Sequence, residues 1–150
     1  MAYAEKTGVA VEKSRMEIER LLQRKKAAQY VTAVDHEKRL AVVQFKLSNR
    51  LIRFDLMLPD YPKYTSQTNL RKYEQAERQK WRALLLVLKA KMEAIESGIS
   101  TLDSEFLAHM VIPGMGGRTV GEYIAPQLER VYEHGSGELY LTAGKMGDDD

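Results

Sequence analysis

Cysteine is absent from this 150-residue chain. Disulfides, thiolate metal sites and cysteine nucleophiles are therefore excluded, an absence compatible with a reducing cytosol. Histidine occurs only three times, as His36, His109 and His134, too far apart in sequence for a zinc-binding His-x3-His pair. Long apolar runs are missing as well. The longest, Ala83–Leu88, falls far short of the roughly 20 residues of a membrane span. Met1–Lys6 lacks the apolar stretch of a secretory signal, so a protein of the cytoplasm with no membrane partner is expected. No Gly-x-Ser-x-Gly, Walker pattern or carboxylate cluster is present. A non-enzymatic protein is expected, with no catalytic residue, no metal and no cofactor.

What the chain does have is a divided charge. Residues 1–91 carry 20 Lys and Arg against 10 Asp and Glu, a net of +10; residues 92–150 carry 3 against 11, a net of −8. A near-neutral total of +2 thus conceals a basic part, which suits a polyanionic or charge-complementary partner. With 44% hydrophobic and 29% charged residues, the chain belongs with folded globular proteins and is long enough for one domain.

The predicted domain spans 1–150, with a loose arm over 1–12 and a weakly ordered tail over 136–150. Ser14-Arg15-Met16-Glu17 reads as a capping box that opens a first helix over about 14–28. Alternation of apolar and polar residues then predicts three antiparallel strands, Gln29–Asp35, Leu40–Leu47 and Arg50–Leu58. Ser48-Asn49 is short enough for a tight hairpin, and His36–Arg39 forms the other turn. Trp81, Leu84, Leu85, Leu88, Met92 and Ile95 make one face of a long amphipathic helix over 71–97, stopped at Gly98. Ser100 is expected to cap a shorter helix. Thr119-Val120-Gly121-Glu122 is a second capping box, opening a helix that Pro126 should kink or split and Gly135 should end. The fold class is α+β: an N-terminal helix, a three-stranded β-meander, the long helix and a helical C-terminal half.

The candidate binding residues lie on the polar side of the long helix. At 100° per residue Arg71, Arg78, Arg82 and Lys89 fall within about 40° of one another and extend over roughly 27 Å. Such a stripe can neutralise successive phosphates irrespective of base sequence. Lys25 and Lys26 at a helix end, and Lys38 and Arg39 in a hairpin turn, are expected to flank it. The competing reading is a solvated face balanced by Glu74, Glu93 and Glu96. Gly114–Thr119 precedes a helix but lacks the Walker lysine, so a plain turn is expected there rather than an anion cradle. Exposed Leu86, with Ala83, Val87, Ala90 and Ala94 on its flank, permits a homo-oligomer by close helix packing.

The order helix, three antiparallel strands, helix is shared with double-stranded-RNA-binding domains. Here His36–Arg39 and Arg71-Lys72 would match that family's contact points. Its Gly-Pro-x-His and Lys-Lys-x-Ala-Lys motifs are missing, so only topology is common. Three other segments, Trp81–Lys91, Phe106–Met110 and Gly117–Tyr123, together with Ser14–Leu22, resemble a family of small uncharacterised proteins encoded by bacteriophages and prophages. The hairpin around His36 and the Met115-Gly116 insertion depart from its pattern. The resemblance implies a phage accessory protein in a bacterial cytoplasm, with nucleic acid or a host or defence protein as partner, and it transfers no site residues.

Overall fold

The computed structural model of the protein describes residues 2–62 and 66–140, with side chains of the first helix described from Ala10 onward. Its elements are α1 (Ala2–Arg24), β1 (Gln29–Asp35), β2 (Leu40–Leu47), β3 (Arg50–Met57), α2 (Gln67–Glu96), α3 (Leu102–Phe106) and α4 (Val120–His134). A 3-10 turn, Leu107–His109, follows α3 directly. The order and the antiparallel β1-β2-β3 sheet are those of the α+β expectation.

The strands form where the period of two is cleanest. Ala41, Val43 and Phe45 of β2, with Ile52 and Phe54 of β3, turn one face to the interior. β2 and β3 pair one-to-one from Leu40↔Met57 to Leu47↔Arg50. Ser48 and Asn49 both take positive φ, 47° and 63°, which is the backbone a two-residue type I′ hairpin requires.

α1 and α2 cover that interior face. Ile18, Leu21 and Leu22 meet Trp81, Leu84, Leu85, Leu88 and Met92 in one buried cluster. Each such side chain contributes about 1.5–3 kcal/mol on burial. Two ion pairs, Glu17–Lys89 and Lys25–Glu96, advance together along the two helices, so α1 and α2 run parallel. Phe106 of α3 closes the core, edge-on to Phe45 and Phe54 at 5.8 and 6.0 Å.

Several boundaries differ from the sequence expectation: α1 ends at Arg24 rather than near 28, and α2 begins at Gln67 rather than 71, because the Ser66 hydroxyl caps it by accepting from the Asn69 amide. The arm expected over 1–12 is helical, because α1 begins at Ala2. Val11 packs on the core and Ser14 is buried, so the buried face of α1 continues through 11, 14 and 18, and Ser14 is a mid-helix residue rather than a cap. α3 is capped by Thr101, whose hydroxyl accepts from the Ser104 amide at 3.1 Å, and not by Ser100. α4 passes through Pro126 without a break; the proline withholds only the amide that would reach the Glu122 carbonyl. Past the Gly135 stop, the Tyr140 amide donates to the buried Gln127 side chain at 2.6 Å. That contact holds the start of the expected tail against α4, while residues 141–150 lie outside the described residues.

α4 attaches to the sheet through few contacts. Its capping box forms, Thr119 and Glu122 bonding reciprocally, and Arg53 of β3 reaches both the Gly117 carbonyl and the Glu122 carboxylate. Gly121 faces the 3-10 turn, where an added Cβ would lie 2.9 Å from the Ala108 carbonyl oxygen. Gly121→Ala is therefore expected to cost about 1–3 kcal/mol through overpacking, read as a lowered urea midpoint.

Candidate functional site

Of the basic stripe on α2, Lys89 is the member that lines the groove formed with α1. Its ammonium lies 3.7 Å from Glu17 of α1. Arg71, Arg78 and Arg82 share the Lys89 side of the helix, and all four are exposed. Arg71 takes part in a polar interaction of its own.

Two hollows of about 470 and 560 Å³ open along this groove and meet at Arg24 and Lys89. Arg20 joins them in the first hollow, and Lys25 and Glu96 in the second. Basic side chains from two helices thus converge on one furrow. Arg20 was not among the expected contacts; its signal was the spacing i, i+4 to Arg24, in the basic run Arg24–Lys26 that ends the first helix. Glu17, Glu93 and Glu96 also line the furrow. Two of these carboxylates pair with Lys89 and Lys25, so the full positive charge is not presented at once.

The remaining expected residues are placed less uniformly. Lys25 is bound to Glu96, and Lys26 sits exposed at the end of α1 with a φ of 63°. Lys38 is exposed in the hairpin turn, its amide bonded to Asp35 at 2.9 Å. Arg39 is engaged internally: Nε donates to the Pro59 carbonyl at 3.1 Å, Nη2 is buried, and the guanidinium lies 5.1 Å from the centre of the Tyr73 ring. Tyr73 projects about 140–160° around α2 from Arg71 and Arg78. The structure therefore brings Lys25, Lys89, Arg20 and Arg24 together and leaves Lys38-Arg39 on the other side of α2.

At the glycine turn before α4 the Glu122 carboxylate already bonds the amide of Thr119 and accepts from Arg53. Among the described residues no cluster of three or more His, Cys, Asp or Glu could hold a metal ion. None of the helices there is long and apolar enough to cross a membrane.

Among the described residues, His109 is displaced from its ordinary value. It stacks on Phe54 at 3.9 Å. Burial first, and the Lys91 charge second, lower its pKa against a hydrogen bond to the Arg53 backbone and the Asp55 charge. The unfolded chain therefore takes up this proton first. Stability is full above about pH 6.5 and declines as pH falls through the lower folded value. Thermal melts between about pH 7.5 and 5 should show that decline, and His109→Phe, which keeps a ring on Phe54, should flatten it.

The chain matches no protein-family model, no curated protein and no solved structure.

Proposed function

We propose that this protein is a non-enzymatic nucleic-acid-binding accessory protein that tracks a phosphate backbone along the α1–α2 groove. The convergence of Arg24 and Lys89 at the junction of the two hollows, with Arg20 in the first of them, carries this reading. Arg78 and Arg82 continue the same side of α2 away from that junction. Lysine and arginine neutralise phosphates whatever the bases, so binding would be largely independent of sequence. In an arriving complex, phosphates would replace Glu17 and Glu96 as partners of Lys89 and Lys25. The sequence resemblance supplies the context, a phage protein acting in the cytoplasm of a bacterial host.

The test is a gel shift at low salt with single- and double-stranded DNA and RNA of mixed sequence. Retention that weakens steeply as salt rises supports the reading. No retention of any of the four rejects it.

A second reading is favoured by α4. Gln127 is the only residue this helix buries, while Leu128 and Tyr132 are 40% and 80% exposed. Apolar side chains left on an amphipathic helix suit a protein partner, here a host or defence protein that the accessory factor would modulate. Affinity capture from infected cells with nuclease present distinguishes the two, since only a protein-mediated complex survives digestion.

A further inference from the structure

We propose that the outer edge of β1 pairs antiparallel with β1 of a second copy, joining two sheets into one of six strands. The two edges of the sheet are treated differently. Along β3 the edge is closed: the Val111 amide donates to the Leu51 carbonyl at 2.8 Å, and Met110 bridges Ile52. Along β1 no strand is paired among the described residues. β1 matches β2 one-to-one over Gln29–Asp35 without a bulge, and it holds no charge before Asp35 and no proline. Edges that stay solvated are normally blunted by lysine, proline or a bulge. β1 has none of these, and Tyr30 and Val31 on it are 36% and 50% exposed.

Complementarity with itself identifies the occupant as a second copy. α1 runs antiparallel to β1: Arg15 and Glu19 bond Thr32, and Gln23 donates to the Tyr30 hydroxyl at 2.7 Å. Met16, 50% exposed, belongs to the same row as Glu19 and Gln23. A two-fold axis through Thr32 pairs all seven residues of β1 and keeps each side chain on its own face, because the paired residues are an even number apart. Both helix layers then lie on one side of the joined sheet. The two α1 helices become antiparallel neighbours with opposed dipoles. That sets the N-terminal end of each α1 beside the C-terminal end of the other; a parallel arrangement would set like ends together. This pairing is independent of what the α1–α2 groove binds.

Sedimentation velocity over a range of concentrations, without nucleic acid, is the test. The full chain is expected to show a monomer–dimer equilibrium. Val31→Lys with Ala33→Lys should raise the dissociation constant roughly a hundredfold by setting like charges opposite one another. Leu86→Lys on α2 should leave it unchanged. Because the chain has no cysteine, register is read separately: Val31 lies opposite Ala33 of the partner. Oxidation of mixed Val31→Cys and Ala33→Cys proteins should link them faster than Leu86→Cys links to itself, even if the double lysine variant fails to fold. A monomer at every concentration overturns the proposal. So does a dimer that only Leu86→Lys disrupts, or a cross-link no faster than that of Leu86→Cys.

Discussion

Arg78→Glu with Arg82→Glu is expected to weaken nucleic-acid affinity by roughly a hundredfold at low salt while leaving the melting temperature near that of the wild type. Both side chains are exposed and share the Lys89 side of α2, so reversing them removes no core contact. A hydrogen bond to a charged group contributes about 1.5–3 kcal/mol. Losing two such contacts therefore costs at least about 3 kcal/mol, and a factor of ten corresponds to about 1.4. Reversal also adds repulsion from the phosphates. The affinity should fall for duplex and single strand alike, since these residues read no base. Lys38→Glu is the matched control. It changes the net charge by two on the far side of α2, as each single reversal Arg78→Glu or Arg82→Glu does, and should alter affinity far less than either of them.

Phe106→Ala should be the most destabilising single change in the chain, at about 3–5 kcal/mol by denaturant melting. Phe106 is fully buried and meets Phe45 and Phe54 edge-on. Lys91 sits 5.8 Å from its ring centre and donates to the Glu105 carbonyl at 2.7 Å. Truncation leaves a hollow between sheet and α3 that neighbours in regular strands cannot collapse to fill. Against a typical total of about 5–15 kcal/mol, that loss would bring a large unfolded fraction near physiological temperature. Phe106→Leu, which retains much of the volume, should cost distinctly less.

The contrast between these two positions shows what local sequence conveys. Strand boundaries were legible because Val43, Phe45, Ile52 and Phe54 alternate with polar neighbours, and because Ser48-Asn49 tolerates the positive φ of a tight turn. α2 was legible from its apolar face, and α4 from the Thr119–Glu122 box. The start of α1 was not, since Ser14-x-x-Glu17 has the residue types of a cap while Ser14 faces the core. The stripe on α2 could be read from helical spacing alone. Its neighbours could not: Arg20 and Arg24 reach the groove only because α1 packs parallel to α2. Arg39 resembles any hairpin cation until Pro59 and Tyr73 are placed around it. Gln127 likewise gains its role from Tyr140, thirteen residues away.

The most direct measurement is amide and side-chain chemical-shift mapping of the labelled protein titrated with a mixed-sequence oligonucleotide at low salt. The account predicts perturbations concentrated at Arg20, Arg24, Arg78, Arg82 and Lys89, reversed by added salt, with Lys38 and Arg39 little changed. Perturbations centred on Leu128 and Tyr132 of α4, or no perturbation at any oligonucleotide concentration, would contradict it.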